Sequence, residues 1–183
     1  MKKLLTFTSL IIFNLFFMTN KNEATAKNYD STNILHIETK YGKIVIELLP
    51  KIAPKHVERI KTLAKENFYD NVVFHRVIDG FMAQTGDPTG TGSGGSDLTD
   101  LKAEFSDEPH VRGAVSMARA ANPNSANSQF FIVLKDSRFL DGQYTVFGKV
   151  IDGMELVDKI KKGEGANGIA KNPDKIIKAT LEK

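Results

Sequence analysis

The side chains able to do chemistry are few. The chain has no cysteine, which removes thiol nucleophiles, thiolate metal sites and disulfides. Its histidines, His36, His56, His75 and His110, form no H-E-x-x-H pair or other close metal spacing. His36 and His56 are expected on exposed or half-buried element faces. No serine fits a G-x-S-x-G elbow, because Thr91 stands where Ser93 would need a glycine. Asp107-Glu108 reads as loop charge. The run Gly90-Thr91-Gly92-Ser93-Gly94-Gly95 fits G-x-G-x-x-G, but a dinucleotide fingerprint sits at a strand-to-helix turn of a parallel sheet. In a long polar loop it reads as a specially bent surface segment. What remains is Arg76, an always-charged five-donor side chain, in Phe74-His75-Arg76-Val77-Ile78-Asp79-Gly80-Phe81-Met82-Ala83-Gln84. Alone it would be a strand arginine in a surface ion pair. The later segments Ser128-Gln129-Phe130-Phe131-Ile132 and Phe139-Leu140-Asp141-Gly142-Gln143-Tyr144 supply an apolar group for such a donor to border.

The elements that must position these residues are short. Ile34–Thr39 and Lys43–Leu49 alternate around Tyr41-Gly42 and predict an antiparallel hairpin. Pro54 begins an amphipathic helix carrying Ala53, Val57, Ile60 and Ala64 on its apolar side. Strands are expected at Val72–Val77, Phe81–Gln84, Gly113–Ala118, Gln129–Leu134, Thr145–Ile151 and Lys175–Leu181, with a second helix at Asp152–Lys162. The fold class is therefore mainly β, a barrel or sandwich covered by helices.

With 183 residues, 41% hydrophobic and 26% charged, the chain can bury a full core without metal or disulfide. Residues 1–26 read as a secretory signal peptide: Lys2 and Lys3, an apolar run from Leu4 to Met18, then Ala24-Thr25-Ala26. Residues 27–33 read as a flexible lead-in, and 34–183 as one domain. Without the leader the chain carries 22 basic and 21 acidic residues, so no strong field for nucleic acid is expected.

Four blocks, FHRVIDGFMAQTGD, GTGSGG, SMARAANPNSANSQFFI and FLDGQYTVFGKV, resemble in order those of cyclophilin-type peptidyl-prolyl cis-trans isomerases, bacterial exported members in particular. The resemblance runs from about Ile34 to the C-terminus. It implies a closed eight-stranded antiparallel barrel capped by two helices, with the substrate groove outside it. It also implies catalytic roles for Arg76, Gln84 and Phe81. Met82, Phe131 and Leu140 would join Phe81 in a proline pocket. Ala118, Arg119 and Ala120 would form a backbone edge beside the peptide, with Gln129, Phe139 and Tyr144 completing the binding set. No metal and no cofactor are implied.

Phe139 stands where the family often has tryptophan, and Tyr144 where it often has histidine. Phenylalanine has no N–H to donate, so weak or no cyclosporin binding is expected. Arg119 replaces a common asparagine, which points to altered sequence preference. The implied partners are proline-containing peptides and unfolded exported proteins, met by a monomer in the periplasm, or secreted or held at the surface. Stable membrane insertion after cleavage is not expected. The alternative is a proline-peptide-binding chaperone or scaffold with incidental catalysis.

Overall fold

A computed structural model describes residues 29–182; the expected signal peptide lies outside them. Ile34–Thr39 (β1) and Gly42–Leu48 (β2) form the hairpin. Pro54–Lys65 (α1) follows, then Arg76–Ile78 (β3), Met82–Thr85 (β4), Ala114–Met117 (β5), Phe130–Val133 (β6) and Val146–Asp152 (β7). A single turn, Met154–Val157 (α2), precedes Lys178–Leu181 (β8). Of the lead-in, Ser31–Asn33 form a 3-10 turn capped by the Asp30 carboxylate.

All eight strands pair antiparallel in the order β3-β4-β6-β5-β7-β2-β1-β8. The sheet curls but its ladder stays open, which corrects the expected closed barrel. β3 and β8 share no ladder. Instead the segments preceding them meet through an isolated bridge, Val73 to Lys175, with Phe74 N–H donating to Asp174 O and Ile176 N–H to Val72 O. Val72–His75, expected in a strand, is thus largely irregular.

Period-2 alternation splits the sheet's side chains between two apolar groups. Val77, Ala83, Val115, Met117, Phe130 and Ile132 point inward, with Ile37, Ile44, Ile46, Phe147 and the α1 side chains Val57, Ile60 and Leu63. Met82, Ala114, Phe131, Val133 and Val146 point outward and pack with Leu140.

The start of α1 shows how a long loop is put to use. Its N-cap, Ala53, has no side chain able to cap. Glu104 from the loop accepts from Lys55 N (3.2 Å) and His56 N (3.1 Å), satisfying two orphan donors, and meets His56 Nδ1 at 2.7 Å. His56 is therefore fully buried, not on an open face as expected. The arginine of that helix, Arg59, is buried too and bonds the carbonyls of Thr99 and Asn127.

The second helix is shorter than 152–162. Gly153 enters it in the left-handed region (φ +81°). After Val157 the chain tightens to i→i+3 bonds, and the Asp174 carboxylate takes the Lys161 N–H. Ile160 still buries, so the apolar periodicity is real although the helix ends.

Candidate active site

Strand register assembles the site. Arg76 pairs with Gln84, Gln84 with Phe131, Phe131 with Ser116 and Ser116 with Val146. These residues form one row across the outer face, where directly opposed side chains lie about 4.5–5.5 Å apart at Cβ. Ile78, Met82 and Val133 make the next row. A 3-10 turn, Arg138–Leu140, lays Leu140 over the second row and Phe139 against Phe81.

The result is a cavity of about 310 Å³ lined by Arg76, Phe81, Met82, Gln84, Ala118, Arg119, Phe131, Phe139, Leu140 and Tyr144. A second, polar cavity of about 350 Å³ adjoins it, sharing Gln84, Ala118 and Arg119 and adding Gly92, Ser93, Ala120, Ser125, Asn127 and Gln129. All twelve residues singled out in the sequence thus line one continuous groove. Phe139 is 66% exposed and leans on Phe81 at 5.5 Å between ring centres.

Arg76 is held from two sides. Its Nε donates to Asn167 O (3.0 Å) and its Nη1 to Gln84 Oε1 (3.2 Å). The other Nη1 hydrogen and both Nη2 hydrogens have no partner among the described residues. The network continues: Gln84 Nε2 donates to Gln129 Oε1 (2.9 Å), and Gln129 Nε2 to Gly92 O (3.1 Å) and Gly94 O (2.8 Å). The glycine-rich loop therefore anchors the amide chain that orients the guanidinium.

That loop is bent, as expected, but ordered around a residue the sequence reading missed. Asp87 is fully buried and accepts from Thr89 N, Thr89 Oγ1, Thr91 Oγ1, Gly92 N and Gly94 N. Burial pushes its carboxyl up, yet the bonds from Gly94, Thr89 and Gly92 outweigh this and bring it to about 2. Gly90 and Gly92 have positive φ, and a Cβ would press on Val73 from Gly90 and on the Asp87 carboxylate from Gly94. Glycine serves close approach here, and no phosphate cradle is needed to explain it.

His110 and Ser116 were also missed. His110 is buried, its ring near-parallel to Phe131 (19°, 6.3 Å). Its Nδ1 meets Asp141 Oδ1 at 3.0 Å and its Nε2 meets Ser116 Oγ at 3.0 Å. Asp141 also accepts from His110 N and from Arg138 Nε, and these bonds lower its carboxyl to about 2. The set has the order of a Ser-His-Asp triad, but Ser116 is fully buried and its hydroxyl reaches Thr145 O (2.9 Å). It works as a buttress that fixes the 138–141 turn and backs Phe131 and Tyr144. A histidine thirty-one positions from an Asp-Gly turn gives no sequence signal of this pairing. Among the described residues no three His, Asp or Glu side chains gather as a metal site would require.

Set against known proteins, residues 34–181 match the family model for cyclophilin-type peptidyl-prolyl cis-trans isomerases. The chain is 57% identical over 170 residues to a probable peptidyl-prolyl cis-trans isomerase of Brucella suis, covering 86% of this chain and 87% of that one. The fold superposes on a cyclophilin from Hirschia baltica with a TM-score of 0.75 at 30% identity, over 84% of this chain and 75% of the other. It superposes equally, at 32% identity over 82% and 99%, on a cyclophilin-type isomerase from Cryptosporidium parvum crystallised in the presence of the dipeptide Ala-Pro. The chain belongs to the cyclophilin-type family and is a peptidyl-prolyl cis-trans isomerase.

Proposed function

We propose that this isomerase turns over X-Pro bonds of exported polypeptides during their folding, with the prolyl ring seated among Phe81, Met82, Phe131 and Leu140. The observation that carries this is the unpartnered face of Arg76 at the rim of that apolar seat. The Ala-Pro dipeptide named for the Cryptosporidium relative supports the ligand class. The leader-like pattern of residues 1–26 supports export, to a periplasm or beyond the cell.

Rotation about a peptide bond meets a barrier of about 18–20 kcal/mol because the C–N bond has partial double-bond character. In the twisted amide the nitrogen becomes pyramidal and regains its lone pair. A guanidinium N–H can donate to that lone pair, and does so poorly in the planar ground state. Such a contact stabilises the transition state selectively, and about 4 kcal/mol of it is worth about a thousandfold in rate. Phe81, Met82, Phe131 and Leu140 hold the ring, while Gln84, Gln129 and the Ala118–Ala120 edge grip the flanking backbone. Phe139 and Tyr144 complete the wall. Phe139 offers no N–H, so cyclosporin inhibits weakly.

The test is isomerisation of an Ala-Pro-containing peptide by the purified protein beside its Phe131→Ala variant. Fast turnover by the parent, with KM raised in the folded variant, supports the seat. Turnover indifferent to Phe131 would refute it.

A further inference from the structure

Among the described residues two guanidiniums and no carboxylate line the groove. Among these residues Arg76 and Arg119 are the only ionisable side chains other than Tyr144 lining either cavity. Arg119 sits on the saddle between the two. It donates through Nε and Nη2 to Gln143 O (3.2 and 3.0 Å) and through Nη1 to Ala120 O (2.9 Å) and Ala121 O (3.3 Å). Its carbon lies 4.5 Å from the centre of the Tyr144 ring. All these partners are neutral, so they fix the guanidinium without cancelling its charge. A second Nη2 hydrogen has no partner among the described residues.

Among the described residues no acidic side chain lines the polar cavity. Asp87 lies buried behind Gly92 and Gly94 and accepts five loop donors. Asp100 accepts from Asn127 Nδ2 (3.0 Å). The cavity wall itself presents Ser93, Ser125, Asn127 and Gln129 around Arg119. A carboxylate entering there would meet a positioned cation, whereas an ammonium would meet a like charge with no acidic acceptor. An extended chain advances about 3.3–3.6 Å per residue, so the adjoining cavity lies within reach of the first or second neighbour of a seated proline.

We propose that Arg119 is a specificity-determining residue that selects proline peptides with an acidic side chain one or two positions from the proline, on the side of the polar cavity. The proposal rests on the groove being the peptide site described above. The test measures kcat/KM for peptides carrying Ala, Glu or Lys at each of the two positions on either side of proline, with the full chain. The expected Glu-to-Lys ratio is about three- to fivefold at a position facing the polar cavity, as for a partly exposed ion pair. It falls toward one in about 0.5 M salt, where screening shortens to a few ångströms. Arg119→Gln brings the ratio to near one, and Arg119→Lys keeps most of it. A ratio near one at every position while the Ala peptide is turned over normally overturns the proposal. So does a ratio that survives Arg119→Gln. Failure to turn over the Ala peptide at all would instead remove the peptide-site reading, and this inference with it.

Discussion

Mild acid should destabilise this protein through His75. The residue is 7% exposed, lies under Gly92, and neither ring nitrogen has a hydrogen-bond partner of good geometry among the described residues. Burial lowers its pKa; the Asp87 carboxylate and, more weakly, the nearby Val73 backbone oppose this, and Arg76 reinforces it. The folded state therefore binds the proton less readily than the unfolded chain, whose histidine titrates near 6.5. Below that pH the unfolded state holds more protons, so stability falls with pH until the native ring also protonates. If His75 stays neutral in the native state from pH 7 to 5, linkage sets a ceiling of about 1.9 kcal/mol for this one group. His56 and His110 are also lowered by burial, but each faces a carboxylate, Glu104 or Asp141, that favours the charged ring. They should add less. In urea titrations at pH 7, 6 and 5, His75→Leu should flatten the pH dependence of unfolding free energy, by no more than that ceiling of about 1.9 kcal/mol. An unchanged slope in a folded variant would refute the assignment.

Two further outcomes follow from the loops. Glu104→Ala removes two backbone bonds at the α1 N-terminus and the His56 contact; it should cost about 2–3 kcal/mol in urea unfolding and leave activity of the folded fraction intact. Asp87→Asn should loosen the glycine-rich loop, raising amide exchange at Thr89, Gly92 and Gly94 by about tenfold or more, a loss of at least 1.4 kcal/mol of local stability. Because the Asp87 carboxyl titrates at about 2, the parent loop should keep its protection down to about pH 3, as hydrogen exchange will show.

Much of this architecture was legible in the sequence because it depends on local periodicity. The β1–β2 hairpin, the placing of Phe130 and Phe131 on opposite strand faces, and the α1 stripe follow from spacing alone. Long-range polar partnerships were not legible. Asp87 looked like any loop aspartate, and Glu104 gave no hint that it caps a helix forty-eight residues earlier. His110 became a buttress only once Asp141 and Ser116 met it. The open edge beside β3 escaped notice for a related reason. Whether two short segments form a ladder or a single bridge is decided by the loops between them. The twelve residues of the groove were found because long motifs carried them together.

The central claim is that Arg76 acts on the twisted amide and contributes little to peptide binding. NMR exchange measurements on an Ala-Pro peptide at saturating protein separate the two, giving the on-enzyme isomerisation rate and Kd for the parent and Arg76→Ala. The account predicts a rate at least about tenfold lower, a loss of 1.4 kcal/mol or more in transition-state stabilisation, with Kd within about threefold of the parent. A near-parental rate in the folded variant, or a loss confined to Kd, would contradict it.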